Sequence, residues 1–363
     1  MLILALASPG LGTEAAAASR AMAPGAPKTE AAPVAPAVTV SPGQSIQAAV
    51  NHAHPGDVIY VKPGVYHQSV VVRTNNLTIK GSGASDTGTV LVPPTAPQTR
   101  CLHGGAGFCI FGHMGSNGLV RVHNVRVSGF LVRGFSAFGV ITFGATDAVV
   151  RHVRASNDGE YGITSFNSHG SQFLYNTTDA NDEAGLYFGD SPHADAVIVG
   201  NRSFDNNTGL LLRDSAIGHV HDNTFFHNCA GVFVVDTGAP TRPHDYVLDR
   251  NQVFHNDRFC KGEGEGPPPL SGTGIAVFGG KDNVVKRNTV WSNRPSKPGA
   301  AFPGGIVIGS SKAFGGSNSA GNLIKRNQAY RNRPADIHWD GKGQGNRFVG
   351  NRCFKSIPGG LCH

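Results

Sequence analysis

Between Asn124 and Asn332 short aliphatic runs alternate with polar turns, and the alternation repeats along the chain. Asn followed five residues later by Asn recurs at Asn176/Asn181, Asn201/Asn206, Asn223/Asn228, Asn251/Asn256, Asn288/Asn293 and Asn327/Asn332, with His152/Asn157 as a diverged earlier copy. After most of these pairs a Gly opens an apolar run: Gly162-Ile163, Gly185-Leu186, Gly209-Leu210, Gly231-Val232, Gly274-Ile275 and Gly305-Ile306. From Gly139 to Gly231 the intervals between these Gly are 23, 23, 24 and 22 residues, a period that marks a solenoid. The runs are short, rich in β-branched residues and broken by Asn, Gly and Asp, which excludes helical repeats, and Leu is too sparse for a leucine-rich repeat. Three short strands with their turns fill one such unit, and stacked parallel rungs sit about 4.8 Å apart. An Asn column facing inward can then bond from rung to rung and to turn backbone. Each rung covers the next, so free edges remain only at the two ends. The pattern predicts an all-β, three-sheet parallel β-helix with its repeat coils over residues 124–355.

Period-two alternation sorts the Gly-led strands into faces. One residue after Gly stand Val140, Ile163, Leu186, Leu210, Val232, Ile275 and Ile306, and three after stand Thr142, Ser165, Phe188, Leu212, Val234, Val277 and Ile308; both columns are expected inside. Positions two and four after Gly are expected outside: Thr164, Tyr187, Leu211 and Phe233, then Phe166, Gly189, Arg213 and Val235. Five after Gly comes the row Gly144, Asn167, Asp190, Asp214, Asp236. Three carboxylates on successive rungs, about 5 Å apart, repel, so a cation, a bound Ca²⁺ held by Asp190, Asp214 and Asp236, or a raised pKa should compensate. The alternative is that these Asp close turns through Asx-type bonds. Arg213 adjoins Asp214, and Tyr187, Asp190 and His193 lie one repeat earlier, which gathers a cation, proton carriers and carboxylates on one face. Insertions at 237–245 and 310–321 follow the Gly-led strand and those at 257–272 and 294–304 precede it, so loops should wall the same face. A second column, Phe204, Phe226, Phe254, Trp291, Tyr330 and Phe354, reads as a stack that stabilises the solenoid or as a platform for sugars.

Ahead of the repeats, Ser45 to Val50 reads as a short amphipathic helix, followed by strand-forming Val58-Ile59-Tyr60-Val61, Val70-Val71-Val72 and Leu77-Thr78-Ile79. Residues 38–80 therefore form an N-terminal cap, and 38–363 one domain. Together with the Asn-Gly repeats, this passage resembles the right-handed β-helix proteins of the pectate-lyase-like superfamily over roughly residues 38–355. The early repeats are most similar to bacterial alginate (mannuronan) C5-epimerases. Tyr161-Gly162-Ile163-Thr164-Ser165-Phe166 aligns with that family's Tyr-Gly-Phe-Asp-Pro-His block, with Thr164 in place of its Asp and Phe166 in place of its His, and His193 keeps its register in the next repeat. The resemblance implies a right-handed coil with its site on the Gly-led strands.

Composition adds a compartment and a sign of charge. Six Cys favour the pairs Cys101/Cys109, Cys229/Cys260 and Cys353/Cys362 by proximity, and disulfides suit an oxidising compartment. Residues 1–37 are Ala- and Pro-rich, and Leu2 to Ala7 with Ala15 to Ala18 resembles the end of a secretory signal without its basic segment; a disordered tail is the alternative. The protein is thus expected to be secreted, with no membrane span and no nucleic-acid stripe, and to act as a monomer. A net charge of +7 beside a long groove suits an acidic polysaccharide. Lyase or C5-epimerase chemistry needs a neutralising cation, for which Arg213 or Ca²⁺ would serve, and groups that move protons, for which Tyr187 and His193 would serve, with His169 outlying. Asp190, Asp214, Asp236 and His169 are the expected substrate contacts. The competing readings are a non-catalytic glycan-binding scaffold and a glycoside hydrolase using Asp190 with Asp214 or Asp236.

Overall fold

The computed structural model describes residues 37–262 and 268–363; apart from Ala37, the expected leader lies outside them. Three parallel sheets of 12, 10 and 11 strands run the length of the described chain, and the chain visits them in rotation. Short strands such as Arg202–Phe204 and Thr224–Phe226 make the second sheet, while the Gly-led strands, such as Thr208–Arg213 and Ala230–Val235, make the third. Register pairs Ile163 with Leu186, Leu186 with Leu210, Leu210 with Val232 and Val232 with Ile275, residue for residue the column read from the sequence. All of that column is buried in one continuous core. Thr142 and Ser165, polar members of the second inward column, bond to each other at 2.9 Å, so neither hydroxyl is left unpaired.

The recurrent Gly has a steric cause. Its φ is ordinary in most rungs, but a Cβ on Gly162, Gly209, Gly231 or Gly274 would lie 2.8–3.0 Å from the Nδ2 of an inward Asn. Gly and the residue after it both face inward, so the chain bends there and no side chain fits against the Asn. Those Asn form two buried ladders. In one, Asn176, Asn201, Asn223, Asn251, Asn288, Asn327 and Asn351 follow one another; in the other, Asn181, Asn206, Asn228, Asn256, Asn293 and Asn332. Each Asn gives its backbone N–H and its Nδ2 to the Oδ1 of the next: Asn201 to Asn223 at 2.9 Å by both routes, with a further Nδ2 bond to Phe173 O at 2.8 Å. A third ladder, Asn283 to Asn322 to Asn346, arises in the last coils. The diverged early frame is one residue later than His152/Asn157: Val153 and Asp158 occupy the ladder positions, donating their N–H to Asn176 and Asn181. In the second ladder every Asn-to-Asn bond is donated toward the C-terminus, and Asp336 ends it by accepting from both nitrogens of Asn332 and from the N–H groups of Phe354 and Lys355.

Both ends are closed. Ser45 caps helix α1 (Ile46–His52) through the Ala48 N–H, and Gln47 from that helix accepts from Val71 N at 2.7 Å and donates to Val71 O at 3.1 Å. A side-chain amide thus supplies the bonds that another strand would give to the edge Val70–Val72. At the far end Leu361 packs into the core beside the Cys353–Cys362 disulfide, and the other bridges join Cys101 to Cys109 and Cys229 to Cys260, with Cα separations of 5.2 to 5.9 Å. On the second sheet Phe204, Phe226, Phe254, Trp291 and Tyr330 stack ring on ring at 4.2–6.0 Å, while Phe354 stands apart, 90% exposed. Their π faces are spent on each other and their edges face water, so this column is a structural stack.

Candidate functional site

On the outer face of the third sheet, Tyr187 stacks on Tyr161 with ring centroids 4.5 Å apart and planes 16° from parallel, and Tyr161 stacks on Phe138 at 5.7 Å. Phe166 leans against Tyr187 at 4.8 Å, in the place where the epimerase resemblance has a His. Tyr187 lies down over Gly189, where any Cβ would collide with its hydroxyl, and the Arg213 guanidinium covers the ring from 5.4 Å. Tyr187 therefore points outward as expected yet is fully buried, and its hydroxyl has no hydrogen-bond partner. Arg213 is the accessible element, with 37% of its side chain exposed.

Charges converge on this pair. Burial, opposed by Arg213 and reinforced by Asp190 and Asp214, pushes the Tyr187 phenol up, and burial with the adjacent Glu183 carboxylate does the same to Tyr161. Both phenols are thus neutral proton donors across the physiological range. Burial works against the charge on Arg213, while the Asp190 and Asp214 carboxylates favour it, and the guanidinium stays protonated. Burial and the proximity of Glu183 raise Glu160. Glu160, Tyr161 and Glu183 do not stand out in the sequence pattern, because alternation holds only after each Gly and the bend there returns the preceding residue to the outside.

The row five after Gly has a different role from the one its charges suggested. Gly144, Asn167, Asp190 and Asp214 all take left-handed φ (59°, 42°, 50° and 49°), a conformation that Gly, Asn and Asp tolerate best. Asp214 is buried and accepts from both the N–H and the hydroxyl of Thr237 on the next rung. Asp236 accepts from Gly238 N at 3.0 Å, an Asx-type turn. Asp190 alone is exposed, and Asn167 is held by Arg121 through its carbonyl at 2.7 Å. The carboxylates expected to hold Ca²⁺ are thus not gathered as ligands, and no group of three His, Cys, Asp or Glu placed to bind a metal occurs among the described residues. His193 and His169 are also set apart, on the exposed turn beyond the strand, where His169 Nδ1 lies 2.8 Å from His193 O and 3.1 Å from Asp195. Of the expected residues the structure brings together Tyr187, Arg213, Asp190 and Asp214, without the histidines and without Asp236 as a free carboxylate.

Further along the same face the surface is covered. Phe233 stacks on Phe278, and Leu270, Phe302 and Phe314 from the inserted loops pack onto them. Beyond this cover a cavity of about 350 Å³ opens between Val307, Lys312, His338 and Lys342. Around Arg213 the accessible groups are the guanidinium itself and the exposed carboxylates Asp190 and Glu183.

Comparison with known proteins agrees with this architecture. The family model of the right handed beta helix region matches residues 65–253. No curated protein matches the chain. Among solved structures it is similar to the Azotobacter vinelandii mannuronan C-5 epimerase AlgE4 A-module, at 17% identity and TM-score 0.56, covering 86% of this chain and 94% of that one. It is also similar to DFA-IIIase from Arthrobacter chlorophenolicus A6 in complex with GF2, at 16% and 0.60 over 81% and 84% of the two chains. A third is the Dettilon tailspike protein, at 14% and 0.57 over 87% and 66%. At such identities the likeness is one of fold. With the family model spanning more than half its length and three stacked parallel sheets beneath it, the chain belongs to the right-handed β-helix family.

Proposed function

We propose that this protein acts on an acidic polysaccharide at the Tyr161–Tyr187–Arg213 face, by lyase or C5-epimerase chemistry. The observation that carries the reading is the half-exposed Arg213 cation lying over a buried phenol whose hydroxyl has no partner. A uronate carboxylate drawn to Arg213 would pull the guanidinium off the ring and uncover the Tyr187 hydroxyl. Neutralising the carboxylate acidifies the adjacent C5 proton; exposed Asp190 or Glu183 would accept that proton, and a neutral phenol would return one to the leaving oxygen or the opposite face. Similarity to a protein described as a mannuronan C-5 epimerase, and to one described as a periplasmic alginate epimerase, supports the substrate class. The three disulfides support an oxidising, extracytoplasmic setting.

A non-catalytic glycan-binding role is favoured by one observation: Asp214 and Asp236 are engaged in turn bonds, and the Tyr187 hydroxyl is sealed. Incubation with a panel of polyuronates, with and without a calcium chelator, separates the two. The enzymatic reading predicts unsaturated-uronate absorbance or a changed epimer ratio by NMR, and loss of signal on chelation would restore a role for Ca²⁺. Silence in both assays with binding retained would establish the scaffold.

A further inference from the structure

The charge of this chain is divided along the solenoid axis. Residues 283–363 carry thirteen Lys and Arg against only Asp336 and Asp340, whereas residues 1–282 carry 18 basic and 22 acidic residues. Six of the thirteen, Lys286, Arg287, Lys325, Arg326, Arg347 and Arg352, lie on or beside the edge where the first sheet turns into the second, far from the Arg213 strand in chain order and on different sheets. Lys286 and Lys325 are register partners at the strand ends, and Arg287 and Arg326 follow them in left-handed turns with φ of 54° and 53°. One coil further on, Arg347 pairs in register with Leu323 and Arg352 with Gln328. Toward the N-terminus the same edge is neutralised: Arg250 pairs with Asp222 and Asp249, and Asp249 also holds Arg287 and Lys286. Beyond that point the acids stop. Among the described residues Lys325, Arg326, Arg347 and Arg352 have no ion-pair partner, and the three Arg are exposed.

We propose that this edge is a docking ridge for a linear carboxylated polysaccharide, separate from the Gly-led face. Lys286 and Lys325, and Arg287 and Arg326, share turn positions on successive coils and so repeat about every 4.8 Å along the axis, close to the advance of one sugar along an extended chain, and Arg347 and Arg352 of the next coil flank that line on either side. A nucleic-acid duplex instead winds its phosphates about a helix at about 3.4 Å per strand step, a curvature and interval this ridge does not match. Cations without acidic neighbours favour a partner with regularly spaced negative charge and make its capture salt-dependent. The ridge would hold the protein on a polyanionic matrix while the Arg213 face remains free.

The test compares the full chain with the variant K325E/R326E/R347E/R352E, and with a control carrying the same change in net charge at exposed N-terminal cations, K62E/R100E/R126E/R151E. Binding to polygalacturonate is measured from low to physiological salt. The ridge variant should lose at least tenfold in apparent affinity and show a shallower salt dependence, while the control loses less than threefold. Equal losses in both variants would show a net-charge effect and overturn the ridge, as would no loss in the first. Tighter binding of a DNA duplex than of polygalacturonate, abolished by the same four reversals, would overturn the assignment of the partner. Arg213→Ala, assayed in parallel on short oligouronates, separates the two sites: it should leave polymer binding at the ridge intact even if the face proves to have no activity.

Discussion

The outer face of the third sheet reads differently at its two ends, although both are built on the same inner columns. In the first half Phe138, Tyr161 and Tyr187 stack on one another as a buried cluster, with half-exposed Arg213 and Glu160 and exposed Asp190 and Glu183 about them. In the second half Phe233 and Val307 take the register position of Tyr187, and Phe278 that of Arg213, and Leu270, Phe302 and Phe314 from long insertions seal them. Gly189 under Tyr187 and Gly309 beside Phe278 show the same local device, a missing Cβ that lets an aromatic ring lie flat on the strand. One ring carries a hydroxyl and a cation above it; the other carries only carbon. Because the Asn ladders and the aliphatic columns hold the coil together from inside, outward residues are free to be spent on chemistry in one half and on anchoring loops in the other.

That comparison is broken most forcefully in the covered half. Phe278→Ala should lower stability by about 3–5 kcal/mol in denaturant unfolding, because it empties a buried aromatic site, and should leave glycan affinity at Arg213 unchanged. A matching loss of affinity would mean that the halves are not separable. Arg213→Ala should do the reverse, reducing binding or turnover of short oligouronates at the Gly-led face at least 100-fold, about 2.7 kcal/mol, while circular dichroism and the unfolding midpoint stay put. Asp214 keeps its Thr237 bonds in that variant, so no new buried charge is orphaned.

Asp158 sharpens the picture beneath the open half. It stands where the ladder has Asn, its Oδ1 accepts from Phe135 N at 2.9 Å, and its Oδ2 has no partner. Burial, against the Phe135 N–H, drives its pKa well above the usual carboxylate range. The folded state then holds a proton that the unfolded state releases, so this group's contribution is complete at acid pH and is lost as pH rises through the folded value. Asp158→Asn should add about 1–3 kcal/mol at neutral pH and flatten that part of the stability-versus-pH curve; an unchanged slope would contradict the assignment. The smallest stability effect is expected for Tyr187→Phe, a gain of about 1 kcal/mol from removing an unpaired buried hydroxyl. Its activity should nevertheless fall about 10²–10⁴-fold if the phenol moves a proton, and remain unchanged if Arg213 only binds.

The coil was legible because its cause is periodic: a Gly that must clear an inward Asn recurs on every rung and leaves a fixed interval in the sequence. Inward and outward columns followed, as did the disulfide pairs, since proximity along the chain coincides with proximity along the helix. The site was legible only in part. Asp at a strand end can be a ligand or a left-handed turn residue, and composition does not separate the two; the φ values at Asp190 and Asp214 and the Thr237 bonds do. Nor could alternation reveal that Tyr187 is sealed by Tyr161, Phe166 and Arg213, because its cover comes from neighbouring rungs. The third Asn ladder is hidden in the pattern because Asn283 and Asn322, although they stand five residues before Asn288 and Asn327, precede Asn that already open pairs of their own.

Isothermal titration of a short oligouronate, against a neutral oligosaccharide of the same length, into the wild-type chain and Arg213→Ala decides whether Arg213 is the acid-sugar site. A salt-sensitive heat is expected for the uronate alone, lost in the variant. Equal binding of the two sugars, or full uronate affinity without Arg213, would contradict that assignment.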